Sequence, residues 1–408
     1  MINNKKILLV GLGKLGLPLL STFAKNGQEI IGIDVDKEKI KTLKNGYVPF
    51  YETNLENYLN LGNKNICYLE NFEDNILDVD IAVILVNTPS NNDGEFSNQY
   101  VFDAVETISK SLKKTNKKDF LFIISSTIMP GTHLEIIDKI ELISGRKLNK
   151  NFGVVYIPDL VALGSVISDF ENPDLVILGE SSKRYGDISQ TLYSKIYKNN
   201  PPIVRMSLIE SEISKVSLNA YITMKISFAN FLGNVCEKFD ANPHNVTQAL
   251  GYDKRISPYY FKSGLAFGGT CFPRDTWAFI KMSNNVGLEA SHIIATQKIN
   301  QNQNELLYNK VKNYKDKTIG VFGLSFKPNT YVTTESPGQI LYERLLTENY
   351  SVIFYDELIS SDHNLDGFIK ECDVIIITHP IKELKGFDNI KNKLIINPWG
   401  NKLCIDTI

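Results

Sequence analysis

Several large classes of protein are excluded by what this 408-residue sequence lacks. Its five cysteines (Cys67, Cys236, Cys271, Cys372 and Cys404) are odd in number and scattered, with no Cys-x-x-Cys pair. That pattern argues against a disulfide framework and for a reducing, cytoplasmic setting. The five histidines are equally dispersed, so no catalytic metal is expected. No apolar run is long enough to cross a bilayer, and the one near the N-terminus is too short for a signal peptide. A net charge of −2 gives neither nucleic acid nor an anionic membrane a reason to bind. Low-complexity tracts and short-period repeats are absent.

What is present is the make-up of a globular protein with sizeable cores, 43% hydrophobic and 22% charged. The length suggests about two or three domains. Short apolar runs at 5–10, 29–33, 80–86, 120–126, 153–157 and 174–178 alternate with helical patterns, as expected for a parallel sheet covered on both faces. From 207 to 238 there is no proline and one glycine, and apolar residues recur at helical spacing, which predicts one long helix. The polar stretch 297–303 reads as a linker. Strands at 318–323, 351–355 and 374–378 then predict a second α/β domain. The fold class is therefore α/β, with two Rossmann-like, doubly wound parallel-sheet domains joined by a long central helix. The expected domains are 1–200, 201–300 and 301–408. The two α/β halves could be distant copies, on architectural grounds.

Gly11, Gly13 and Gly16 have dinucleotide-binding spacing, with a strand before, a helix after, and Asp34 eighteen positions past Gly16. The first glycine permits a tight turn, the second lets pyrophosphate approach the backbone, and the third lets helix and strand pack closely. Asp34 would accept hydrogen bonds from the adenosine ribose and repel a 2′-phosphate, which favours NAD over NADP. The alternative is a structural turn. Two more strand ends carry hydroxyls and turn formers, Val86-Asn87-Thr88-Pro89 and Ser125-Ser126-Thr127, the latter followed by Pro130-Gly131-Thr132. Ligands bind at such ends in open parallel sheets.

Residues 261–277 hold Gly268, Gly269, Cys271, Pro273, Arg274 and Asp275 within eight positions. A helix starting near Pro273 would put Cys271 just before its N-terminus, with a cation beside it, where a nucleophilic thiol belongs. The alternative is a buried cysteine in a tight turn. On the long helix, Glu212, Lys215, Asn219 and Thr223 share one face. Such a stripe usually marks the solvated side; facing a cleft instead, it could stabilise an oxyanion. Lys327 ends the first strand of the last domain, where a cation could meet phosphate. Trp277 and Trp399 are expected to pack rather than stack on bases.

Taken together, the motifs resemble the nucleotide-sugar 6-dehydrogenase family, whose members act on UDP-glucose, GDP-mannose or UDP-N-acetylhexosamines. The resemblance rests on five segments in family order: Gly-Leu-Gly-Lys-Leu-Gly-Leu-Pro at 11–18, Ser-Ser-Thr-Ile-Met-Pro-Gly-Thr at 125–132, Glu-x-x-Lys-x-x-x-Asn at 212–219, Phe-Gly-Gly-Thr-Cys-Phe-Pro-Arg-Asp at 267–275, and Gly-Leu-Ser-Phe-Lys-Pro-Asn-Thr at 323–330. It implies a homodimer through the central helix and a C-terminal domain that binds the nucleotide. It also implies a four-electron oxidation by two NAD+, in which Cys271 forms a thiohemiacetal and then a thioester. Lys215 and Asn219 would stabilise oxyanions, Asp275 and Thr127 would position water or relay protons, and Asp159 would take the place of the water-activating glutamate. Gly11, Gly13, Lys14, Leu15, Gly16, Asp34, Thr88, Pro89, Thr127 and Arg274 would hold NAD. Leu160, Lys215, Asn219, Phe267, Gly268, Lys327 and a neighbouring subunit's Arg255 would hold the sugar nucleotide.

The sequence departs from the family pattern at several charged positions. Asp159 is one methylene shorter than glutamate, and Ala162 and Leu163 replace an arginine and a glutamate. Thr334 replaces an arginine, another arginine is missing near 397–401, and Arg274 stands for the more usual lysine. UDP-glucose is the expected substrate, because nothing matches the N-acetylhexosamine pattern. The alternatives are GDP-mannose, a UDP-N-acetylhexosamine, a two-electron oxidation, or a catalytically weak nucleotide-sugar-binding protein.

Overall fold

The computed structural model describes residues 5–70, 78–91, 94–379 and 393–399. The chain divides into two compact units, residues 1–216 and 217–408. Eight strands form the sheet of the first unit: β1 (Ile7–Val10), β2 (Ile30–Ile33), β3 (Ile66–Leu69), β4 (Ile81–Ile84), β5 (Leu121–Ile124), β6 (Gly153–Tyr156), β7 (Val176–Glu180) and β8 (Ile203–Met206). Their spatial order is β3-β2-β1-β4-β5-β6-β7-β8. The chain thus leaves β1 in one direction and returns on its other side, which makes the β1/β4 boundary the topological switch point.

The continuous apolar runs have a direct cause. Along β1, Ile7 and Leu9 enter one core with Leu20 and Phe23, while Leu8 and Val10 enter another with Ile108 and Phe122. A strand buried on both faces has no polar side to show. One expectation is corrected: β6 and β7 pair antiparallel, with Val155 opposite Glu180, so the sheet is not wholly parallel. Hydrophobic runs mark strands but not their direction. The edge strands β3 and β8 lack a fully buried residue, which is why no clear run announces them.

The second unit carries a four-stranded parallel sheet, β9 (Ile319–Phe322), β10 (Val352–Tyr355), β11 (Val374–Ile377) and β12 (Leu394–Ile396), in the order β10-β9-β11-β12. That order repeats β2-β1-β4-β5, and the likeness extends to single bonds. Gly11 N–H donates to Ile33 O and Gly323 N–H to Tyr355 O, each at 2.8 Å. Leu12 N–H donates to Asp34 at 2.8 Å and Leu324 N–H to Asp356 at 2.9 Å.

The expected long helix is present as Leu208–Lys238, which passes the boundary between the units. The linker expected at 297–303 is not. Those residues lie inside a helix, Ser291–Asn309, with Gln297 and Asn300 buried. Amide side chains mimic a linker in composition, yet here Asn300 and Gln303 are held by backbone groups of the loop 264–267.

Candidate active site

The turn after β1 is built for a close ligand. Gly11 has φ +97°, and a Cβ there would lie 2.2 Å from Leu85 O. A Cβ at Gly16 would lie 1.9 Å from Gly11 O, whereas one at Gly13 would meet nothing within 4 Å. The first and third glycines are thus required by packing, and the second leaves open space for a phosphate. Lys14 and Leu15 are half-buried beside it, Leu15 as the residue before the helix Gly16–Lys25. Asp34 Oδ2 accepts from Leu12 N–H at 2.8 Å and from the Lys39 ammonium at 2.9 Å, and Oδ1 accepts from Asp36 N–H at 2.9 Å. The donor set fits NAD: glycine backbone for pyrophosphate and a buried carboxylate for ribose. Lys39 is a contributor that sequence reasoning missed; its place five residues past the aspartate, in the first turns of a helix, was the available signal.

Strand ends β4 and β5 are stitched together in the same unit. Thr88 Oγ1 donates to Thr127 O at 2.7 Å, and Val86 N–H donates to Ser126 Oγ at 2.8 Å. Thr127 is half-buried and Pro89 exposed. Just beyond, Glu212 is fully buried and closes the start of the helix Thr132–Ser144. It accepts from Gly131 N–H at 2.7 Å and from His133 N–H at 2.9 Å, with His133 Nδ1 also at 2.9 Å. Three residues past Glu212 on the long helix Leu208–Lys238, the Lys215 ammonium donates to Asp159 O at 3.0 Å. Asp159 Oδ2 is buried with no hydrogen-bond partner. Burial pushes the carboxyl up to about 7, against the opposing pull of Lys215. A carboxyl that titrates near neutrality with one oxygen unclaimed suits general acid–base work. Leu160, the next residue, is half-buried, and Leu163 packs against the core of this unit.

The second unit holds the cysteine turn. Cys271 is exposed and stands as the N-cap of the helix Phe272–Asn285, which begins where Pro273 predicted. The buried-cysteine alternative is therefore excluded. Asp275, fully buried, accepts from the Asn219 amide at 2.6 Å on Oδ2 and from the Arg274 guanidinium at 2.9 Å on Oδ1. Arg274 is thus turned to Asp275. Thr223 and Thr276 meet one turn further on, 3.1 Å apart. The polar stripe of the long helix is not a solvated face: Glu212, Lys215, Asn219 and Thr223 are all buried.

Phe267 and Gly268 are buried just before the cysteine, and a Cβ at Gly268 would lie 2.2 Å from Glu335 O. Lys327 is half-buried with its ammonium 5.7 Å from the Phe326 ring centroid. Arg255 is exposed and pairs with Asp253 in its own turn. Trp399 packs on Gly264, but Trp277 is 46% exposed, against the packing role expected of it. Gly400, Asn401 and Cys404 lie outside the described residues. Among the described residues, no three His, Cys, Asp or Glu side chains converge as a metal site, and no helix is long and apolar enough to cross a membrane.

Three family models match the chain in order: the UDP-glucose/GDP-mannose dehydrogenase family NAD-binding domain over 5–197, its central domain over 209–302, and its UDP-binding domain over 320–408. The chain is 30% identical to the GDP-mannose 6-dehydrogenase of Pseudomonas putida, across 86% of this chain and 81% of that one. It is 29% identical to the UDP-glucose 6-dehydrogenase of Haloferax volcanii, across 87% and 84%. Among solved structures, a UDP-glucose dehydrogenase from the archaeon Pyrobaculum islandicum superimposes with TM-score 0.88 at 26% identity, covering 97% of this chain and 94% of that one.

Proposed function

This chain belongs to the UDP-glucose/GDP-mannose dehydrogenase family, and from that premise we propose that it oxidises the C6 alcohol of UDP-glucose to the uronate through a Cys271 thioester. The observation that carries the reading is Cys271 itself, exposed at the head of a helix, with Asp275 and Asn219 joined one turn behind it. When bound, NAD+ supplies the hydride acceptor for both oxidations.

The balance is one alcohol, one water and two NAD+ giving one carboxylate, two NADH and three protons. After the first oxidation the Cys271 thiolate adds to the aldehyde carbon, and the oxyanion so formed takes a proton to become a thiohemiacetal. That adduct again bears a hydrogen on carbon, so a second oxidation yields the thioester without free water. Water then attacks the thioester carbonyl and the C–S bond breaks, returning the thiolate. Lys215 and Asn219 are the N–H donors for the developing oxyanions, since an ammonium has three donors and an amide two. Asp159 removes the proton from the attacking water, and Thr127 and Asp275 orient the groups around it. Leu160, Phe267, Gly268 and Lys327 hold the sugar nucleotide in this reading.

The long helix supports assembly with a second copy. Tyr221, Phe228, Phe231 and Val235 form an exposed apolar stripe at helical spacing, and Phe239, just past the helix end, is 80% exposed. An apolar stripe on a surface helix marks a partner-binding face, and in this reading Arg255 of the neighbouring copy reaches the sugar nucleotide.

The test is NADH formation with UDP-glucose, GDP-mannose and UDP-N-acetylhexosamines. About two NADH per UDP-glucose, with uronate as product, is expected. One NADH with a carbonyl compound accumulating would contradict the thioester, and preference for another sugar nucleotide would contradict the substrate.

A further inference from the structure

We propose that Asn300 is a positioning residue that fixes the register of the Phe267 peptide ahead of Cys271 and thereby governs sugar-nucleotide binding; the binding half of this statement rests on the function proposed above.

Segment 264–269 is buried, yet it pairs with no strand. Its backbone polar groups need partners nonetheless, because an unpaired buried N–H or C=O is costly. Three amide side chains from two helices supply partners for five of them. Phe267 N–H donates to Asn300 Oδ1 at 2.7 Å, and Asn300 Nδ2 donates back to Phe267 O at 3.0 Å. One side chain thus takes both groups of a single residue, as a residue on a neighbouring antiparallel strand would. Asn230 repeats the device across a peptide bond, accepting from Gly264 N–H at 2.7 Å and donating to Leu265 O at 2.8 Å. Gln303 donates to Gly264 O at 2.6 Å and is itself held by Asn234 at 3.0 Å. Asn300 and Asn230 are both buried.

Asn300 stands apart from the other two because its loop partner is four residues from Cys271. Phe267 also packs edge-to-face on Phe272, the first residue of the cysteine helix. Phe267 is itself among the residues proposed to hold the sugar nucleotide, so a shift there acts on substrate binding first, while the cysteine helix keeps its own first-turn bond from Asp275 N–H to Cys271 O at 2.8 Å.

The test compares the parent enzyme with Asn300→Asp, which keeps the acceptor but faces Phe267 O with a second acceptor, and with Gln303→Ala as a milder variant in case the first does not fold. Hydrogen exchange of peptides covering 264–268 needs no turnover. Exchange there should quicken about tenfold in Asn300→Asp and about threefold in Gln303→Ala, which frees only Gly264 O, while the helix Ser291–Asn309 exchanges as in the parent. The KM for the nucleotide sugar should rise about tenfold in Asn300→Asp and by a smaller factor in Gln303→Ala, with kcat and the KM for NAD within about twofold. Unchanged exchange over 264–268, equal loosening of the whole helix, or an equal rise in both KM values would overturn the proposal. Should the parent oxidise no nucleotide sugar, the function above fails while the exchange result still decides the positioning role.

Discussion

Glu212 holds His133 twice, by its backbone N–H and by its ring Nδ1, both at 2.9 Å. A carboxylate at a helix N-terminus meets unpaired N–H groups and the positive end of the dipole, which makes this burial of charge tolerable. The long helix Leu208–Lys238 that bears Glu212 carries Lys215 one turn on, so the clasp ties the loop after β5 to the residue proposed to meet the oxyanion. Replacing Glu212 with Ala should cost about 3 kcal/mol in denaturant unfolding, because buried donors lose their acceptor. A loss below about 0.5 kcal/mol would show that water or a rearranged loop takes its place.

Cys271→Ser should stop uronate formation, lowering its rate on the order of 10³-fold or more, since an alkoxide adduct does not replace the thiolate one. Binding of NAD to the first unit, read by fluorescence, should be unchanged. Normal turnover by this variant would remove the covalent route.

Burial raises the Asp159 carboxyl from 3.8 to about 7, against the opposing pull of Lys215. Its pKa is raised, so the folded state binds its proton more tightly than the unfolded chain does. The proton-linked stability is full below the ordinary value and is lost as pH rises through about 7. Asp159→Asn should therefore gain stability over the parent at pH 8 more than at pH 5, in paired melting curves. The hydrolytic step, which needs the carboxylate, should rise with pH through the same region and be slowed most in Asp159→Asn. A melting difference that does not depend on pH would contradict the raised value.

At the cofactor turn, Asp34 also carries the Lys39 ammonium at 2.9 Å. Asp34→Ser should lower kcat/KM with NAD about tenfold or more and raise it with NADP, because repulsion disappears and the released ammonium can meet a 2′-phosphate. Equal losses with both cofactors would indicate that the change only loosened the Leu12 turn.

The strands other than β3, β8 and β12, the glycine turn and the helix start at Pro273 were legible because each rests on local chemistry: apolar runs, φ sign, a missing N–H. The long helix was legible in extent but not in orientation. Its polar face, Glu212, Lys215, Asn219 and Thr223, is buried, while Tyr221, Phe228 and Phe231 are exposed. Patterning reports which residues share a face; partners distant in sequence, such as Gly131 for Glu212 and Asp275 for Asn219, decide which face goes inside. Asn300 was hidden for the same reason, since a polar run in a helix looks like a linker until its loop partner is known. The antiparallel turn of β7 has no local signature either.

The most direct measurement is the mass of the peptide containing Cys271 from enzyme quenched in acid during turnover of UDP-glucose and NAD. The account predicts a sugar-nucleotide acyl group on that cysteine, absent from the exposed Cys67 and absent without NAD. Full conversion to uronate with the Cys271 peptide unmodified at every time point would contradict it.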